Sequence, residues 1–277
     1  MRTFEAHRFD GLVQSEIRRM TLECERVGGL NLAQGICDLP VPEPVREAAE
    51  RALREPTNTY SKASGIPELR RAIAHKLQRD NQIAADPETE IVVTAGVTGA
   101  YFCTLAALLN PGDGIVLFEP YYAYHRNIAR TLGLEPQLLT LDPPHAGVTE
   151  ERLCEVVDDR TRAIVVCTPS NPSGKMYERE ELEAIAQMAH ERDLLVITDE
   201  IYEYFTYDGA HHISPGTVGE LWPRTVSLMG FSKTFAVTGW RIAYAVAHES
   251  RGRGGQRAHP SYRKRAKPPA AGGGGPG

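Results

Sequence analysis

The sequence predicts an α/β fold, a mainly parallel seven-stranded sheet with helices on both faces. Three observations carry this expectation. From about residue 90, seven short segments rich in apolar and β-branched residues recur. Most of the gaps between them show helical spacing of apolar positions. Several of the strands are nearly continuous apolar runs, which suits a sheet covered on both sides.

The elements follow in chain order. Ahead of the sheet, helices are predicted at 43–54 and 66–80, the second opening on Gly65-Ile-Pro-Glu, where Pro67 suits a first helical turn. IVVTAG (91–96) reads as a strand and TGAYFCTLAALL (98–109) as the helix after it. GIVLF (114–118) and YAYHRNIARTLG (122–133) repeat the pair, as do PQLLTL (136–141) and TEERLCEVV (149–157). RAIVVC (162–167) leads to the helix ERELEAIAQMAHERD (179–193), and LLVIT (194–198), TVSLM (225–229) and RIAYAVA (241–247) complete the set. Ligands of such sheets collect beyond the carboxyl ends of the strands, so the residues there come first in the search for chemistry.

Composition narrows the class. A chain of 277 residues with 42% hydrophobic and 24% charged content is ordinary for a soluble globular enzyme. Its five cysteines are scattered, with no C-x-x-C pair, and read as reduced thiols of a cytoplasmic protein. The amino terminus lacks the apolar core of a signal peptide, and no apolar run approaches the roughly 20 residues of a membrane span. The net charge of −5 is uneven. Seven of the 31 Lys and Arg, and none of the 36 Asp and Glu, fall in residues 251–277, so the first 250 residues carry a net −12. An acidic body argues against nucleic-acid binding. The tail, with eight glycines and four prolines, cannot bury a core and is expected to be disordered.

At the strand ends an unusual set accumulates. Gly96, Val97 and Thr98 open a helix after the first strand, where small residues and free N–H groups favour an anion. Taken alone, such a turn is more often only a turn, and no G-x-G-x-x-G or P-loop fingerprint is present. Glu119-Pro-Tyr-Tyr-Ala-Tyr124 brings three aromatics, suited to packing or to stacking on a flat ring. Thr168-Pro-Ser-Asn171-Pro is a rigid turn that would fix an amide. Asp199-Glu-Ile-Tyr202 follows an apolar strand, where a helix cap is the plain alternative. Finally, FSKTFAVTGWR (231–241) places two cations, Lys233 and Arg241, among small and apolar neighbours with almost no acid nearby.

These residues together resemble the class I/II aminotransferases, the fold-type I pyridoxal-phosphate enzymes typified by aspartate aminotransferase. The resemblance is carried by NLAQGICDLPVP (31–42), TYSKASGIPELRRAI (59–73), IVVTAGVTGAY (91–101), FEPYYAYH (118–125), CTPSNPSGKMY (167–177), ITDEIYEYF (197–205) and FSKTFAVTGWR, in family order. It implies pyridoxal 5'-phosphate as cofactor and transfer of an amino group from an amino acid to a 2-oxo acid by a ping-pong cycle. Lys233 would carry the cofactor as an internal Schiff base and later act as the proton-transfer base. Asp199 would pair with the pyridinium nitrogen, Asn171 and Tyr202 would bond the ring's phenolic oxygen, and Tyr122 would stack on the ring. Arg241, with Gly96, Val97 and Thr98, would hold the phosphate. Gly35 would lie on the substrate carboxylate side, and Tyr60 would reach the phosphate of a neighbouring subunit, making the unit a homodimer. Where some members have a serine three residues before the lysine, this chain has Gly230, which implies one missing phosphate hydrogen bond.

By the same resemblance, residues 1–42 form an amino-terminal arm and substrate-side loop, 43–250 the cofactor-binding large domain and 251–277 the tail. The small domain and its carboxylate-clamping arginine have no counterpart, and a frameshift in the GC-rich tail is the expected cause. A carbon–sulfur lyase or cyclopropane-carboxylate synthase on the same scaffold, or an inactive relative that only binds the cofactor, are the competing expectations. The residues do not identify the amino donor.

Overall fold

The computed structural model describes residues 6–9, 16–32, 34–35, 37–55, 59–141 and 147–249. The tail at 251–277, and with it the frameshift reading, lies outside the described residues. Helices α1 (Glu16–Arg26), α2 (Glu43–Arg54) and α3 (Pro67–Lys76) precede the sheet. From there strands and helices alternate: β1 (Ile91–Thr94), α4 (Gly96–Leu108), β2 (Gly114–Glu119), α5 (Ala123–Thr131), β3 (Glu135–Thr140), α6 (Glu150–Val156), β4 (Thr161–Cys167) and α7 (Arg179–Glu191). β5 (Leu195–Asp199), β6 (Thr225–Gly230) and β7 (Ala243–Ala247) follow.

The seven strands form one sheet in the order β1-β7-β6-β5-β4-β2-β3. All pairs are parallel except those made by β7, which runs antiparallel to both β1 and β6. The mainly parallel, seven-stranded expectation holds. Apolar runs are needed because each strand faces two cores. Ile115 and Leu117 of β2 join one cluster with Tyr101 and Leu105 of α4 and Ala129 of α5. Val116 and Phe118 of the same strand point the other way, toward Leu153 of α6 and Leu182 and Ile185 of α7. A third cluster sets Ile73 of α3 against Ile91, Met229 and Tyr244 at the β1–β7–β6 side. Full burial of each such side chain contributes about 1.5–3 kcal/mol of transfer free energy.

Boundaries differ from the sequence expectation in instructive places. The helix expected at 66–80 is α-helical only to Lys76 and then widens into a π-helical turn, Leu77–Asn81, which ends on a left-handed Gln82. α4 begins at Gly96, so Gly96, Val97 and Thr98 form its first turn. Arg241 was expected to open the last strand. It instead follows the 3-10 turn Thr238–Trp240 with a left-handed backbone, φ 55°, and β7 starts two residues later. Because β7 is reversed, the residues before it sit at the same sheet end as the residues after the parallel strands. α1 was not anticipated inside the arm, and its amphipathic sequence buries only Thr21.

Candidate functional site

Asp199 is the last paired residue of β5, in register with Cys167 on one side and Leu228 on the other. Its side chain is nearly fully buried toward α5, where Oδ2 lies 3.0 Å from His125 Nε2. A carboxylate only accepts, so Nε2 carries the hydrogen. Oδ1 accepts from the backbone N–H of Ile201 at 3.3 Å, and Asp199 therefore has a fixed orientation. The Tyr101 ring packs on His125 at 4.7 Å, and the Tyr122 ring meets its edge at 5.4 Å. His125 is the site residue that sequence reasoning missed. A signal was there: it falls one turn after Tyr122, in the first turn of an amphipathic helix, yet its whole ring is buried.

Tyr122 occupies the position just before α5, with backbone angles of −69° and 119°. Burial pushes its hydroxyl up to about 12, helped by Tyr124, Asp199 and Tyr202 and opposed by Arg241. Its ring is thus a neutral flat face in electrostatic reach of both the carboxylate and the arginine. Burial first, then Asp199 and Cys167, hold the Tyr202 hydroxyl above the ordinary tyrosine range, against a lowering contribution from Asn171. The turn that carries Asn171 is closed by Gly174 N–H to Ser170 O at 2.8 Å and Ser170 N–H to Lys175 O at 2.9 Å. That is the rigidity expected of it.

Lys233 follows β6 in a compact turn held by Val237 N–H to Ser232 O at 3.1 Å. Its Nζ lies 5.6 Å from the centre of the Tyr202 ring. Burial lowers its pKa below the usual lysine value, and Arg241 lowers it further against an opposing contribution from Cys37. The loop bearing Gly35 and Cys37 therefore lies on the lysine's side, and Gly35 itself faces open space.

The arginine and the start of α4 form a cradle. Gly96 has φ +74°, and a Cβ there would fall 2.3 Å from Arg241 Nη2 and 2.8 Å from its Cζ. Only glycine lets the guanidinium lie so close to the helix start. Among the described side chains none caps α4, and none of the described carboxylates pairs with Arg241, whose Nη1 donates instead to Thr238 O at 3.0 Å. A helix amino terminus and a free guanidinium at one point suit a dianionic phosphate. Tyr60 is fully exposed, on a segment tied to the sheet edge by Val93 N–H to Ser64 O at 3.0 Å, and is not part of this constellation within one chain.

Gly230 has a packing reason. A Cβ there would meet Ala243 Cβ at 2.9 Å and Ile201 Cδ1 at 3.0 Å, so serine does not fit without a shift. The described residues hold no cluster of His, Cys, Asp or Glu suited to a metal, and no described helix is long and apolar enough to cross a membrane.

Comparison with known proteins agrees with this geometry. The family profile for aminotransferase class I and II matches residues 27–268. The aspartate/prephenate aminotransferase of Thermus thermophilus is 38% identical over 245 residues, 88% of this chain and 63% of that protein. The aromatic-amino-acid aminotransferase 2 of Thermococcus litoralis is 35% identical, over 85% of this chain and 61% of its own length. Among solved structures, N-succinyldiaminopimelate aminotransferase from Mycobacterium tuberculosis superposes with a TM-score of 0.87 at 32% identity, covering 92% of this chain and 67% of that one. The chain spans about three fifths of the length of the curated relatives it matches. It belongs to the class I and II aminotransferases.

Proposed function

We propose that this member of the aminotransferase family moves an amino group from an amino acid to a 2-oxo acid, using the family's cofactor, pyridoxal 5'-phosphate. The observation that carries the reading is the convergence of a depressed, carboxylate-free lysine with an anion cradle and a fixed carboxylate at one sheet end. The residues present fit the cofactor. Arg241 and the first turn of α4, at Gly96, Val97 and Thr98, would hold its phosphate, and Asp199 its ring nitrogen. Tyr122 offers the stacking face, and Asn171 with Tyr202 the donors for its phenolic oxygen. When bound, the cofactor supplies an aldehyde carbon for amines and a protonated ring that withdraws electrons.

The chain's own groups do the rest. Lys233 Nζ, with its proton held loosely by burial, would hold the cofactor's aldehyde carbon and would serve as the base toward a substrate's α carbon. His125 holds the Asp199 carboxylate in one orientation, in which it would meet a protonated ring nitrogen without reorganising. Gly35 leaves room on the lysine's side for the substrate's carboxylate. Residues 43–250 form the cofactor-binding unit. Dicarboxylic and aromatic amino acids are the donors to try first, given the names of the relatives. The active unit is a cytoplasmic homodimer in amino acid metabolism, supported by the exposed Tyr60 and the five unpaired thiols.

The test is direct. Pyridoxal phosphate added to the purified full chain should give a visible band, and borohydride should fix the cofactor on Lys233 by peptide mass. Lys233→Ala should show neither. Aspartate, phenylalanine and tyrosine should then bleach the band and release their 2-oxo acids. A band that survives in Lys233→Ala overturns the assignment. A wild-type band indifferent to every amino acid leaves only cofactor binding standing.

A further inference from the structure

After Asp199 the chain leaves the ladder, held to it by one more bond, Glu200 N–H to Leu228 O at 2.9 Å. The turn that follows has only local backbone bonds, Glu203 N–H to Glu200 O and Phe205 N–H to Tyr202 O. Yet this turn must orient Asp199 and Tyr202 together. Its other face shows what holds it. Glu200 is completely buried and accepts from Thr198 Oγ1 at 2.6 Å, Ser214 Oγ at 2.7 Å and His212 Nε2 at 2.9 Å. Ser214 Oγ in turn accepts from Asn81 Nδ2 at 2.9 Å, and the same amide donates to Glu203 Oε2 at 2.8 Å. Lys76 pairs with Glu203 and donates to Asn81 Oδ1 at 2.7 Å. Glu200, through Ser214, and Glu203, directly, are thus tied to one asparagine from the π-helical turn after α3, more than a hundred residues earlier.

We propose that Glu200 is a positioning residue: tied through Ser214 to Asn81, it sets the rotation of the 199–204 turn and thereby aims Asp199 and Tyr202 at the cofactor. The proposal rests on the cofactor reading above. Side chains alternate along the strand end, so Thr198 and Glu200 share one face while Asp199 takes the other. A rigid-body roll of the turn cannot move one carboxylate without the other. Burial alone would raise the Glu200 pKa, but His212, Thr198 and Ser214 together bring it below the usual glutamate value. Both oxygens of Glu200 are thus satisfied, although His212 Nδ1 is buried without a partner, and removing one member leaves further buried groups unpaired. Glutamine at 200 keeps an acceptor for His212 and Ser214, and its amide can donate to a rotated Thr198 hydroxyl. Shape, rather than charge, is what the turn requires.

The experiment titrates pyridoxal phosphate into the full chain, reading affinity and the pH midpoint of the visible band, with melting of the cofactor-free protein in parallel. Ser214→Ala and Glu200→Ala should weaken binding by about tenfold, the lower end for lost outer-shell partners, and shift the midpoint. Glu200→Gln should restore both. If the alanine variants melt earlier but keep wild-type affinity and midpoint, the network is only structural and the proposal is overturned. It also fails if Glu200→Gln is as impaired as Glu200→Ala. Should Glu200→Ala not fold, Ser214→Ala, which removes a single hydroxyl, decides between Glu200 as a positioning residue and as a purely structural one. A wild-type chain with no band overturns the cofactor reading and this one together, whereas normal wild-type binding with unaffected variants sinks this one alone.

Discussion

The segment 231–241 and the network around Glu200 flank the same turn and treat their charges in opposite ways. In the first, Lys233 and Arg241 have no carboxylate partner among the described residues, and two backbones, Ala236 and Arg241, are left-handed at φ 54° and 55°. In the second, Lys76, Glu200 and Glu203 are each paired or hydrogen-bonded inside the protein. A buried charge needs a neutralising partner, as Glu200 and Glu203 have, whereas Lys233 is half-buried and Arg241 exposed. Within the network the chain supplies that partner itself. In the segment the two cations are open to solvent and to an incoming anion, and its two left-handed residues, of order 1–3 kcal/mol of strain each, have a counterpart in Gln82 beside Asn81.

The largest expected effect comes from closing the gap between arginine and helix. Gly96→Ala places a methyl where the guanidinium now lies, at a backbone angle that alanine resists. Charge-assisted hydrogen bonds are worth up to about 3 kcal/mol, so affinity for pyridoxal phosphate should fall by about a hundredfold in an absorbance titration. Unchanged affinity would mean that Arg241 is not an anion receptor and the comparison is false.

A smaller effect separates missing chemistry from packing. Gly230→Ser adds the hydroxyl that some family members carry, but its Cβ collides with Ala243 and Ile201. Overpacking of this kind should cost about 1–3 kcal/mol in denaturant unfolding, without tighter cofactor binding. Tighter binding at unchanged stability would show that the site lacks a donor and that the fold has room for it.

The smallest effect is a displaced pH profile. Aldehyde capture needs the neutral amine, and the Lys233 pKa is lowered mainly by burial. The capture rate should rise with pH and level off below the ordinary lysine value of about 10.4. A plateau above that value would show that the amine is not desolvated.

Much of this was legible in the sequence because it is local. Continuous apolar runs such as GIVLF require two covered faces, and each of the seven expected strands is found within two residues of its place. Asp199, Asn171, Tyr122 and Lys233 could be collected because each stands at a strand end. What escaped depends on distant partners. The reversal of β7, which brings Arg241 to the site, is a pairing choice that its own apolar pattern does not state. His125 meets Asp199 across 74 positions and Asn81 meets Glu203 across 122, and no spacing rule reaches that far. α2 shows the converse, with a clear amphipathic pattern and no buried residue: periodicity predicts a helix but not what it packs against.

The register of β5 has one more meaning. Asp199 and Glu200 are consecutive acids on opposite faces, one bonded to His125 and, on the proposed reading, reserved for a guest, the other bonded into the frame. The ladder pairing of Asp199 with Cys167 and Leu228 is what sorts them. A slip of a single residue in a strand turns every side chain to the other face. It would hand the guest's place to the longer acid and leave the shorter one to fill a glutamate's socket. The pleat of one strand therefore works as an address, and two neighbouring letters of the sequence are delivered to different sides of the molecule.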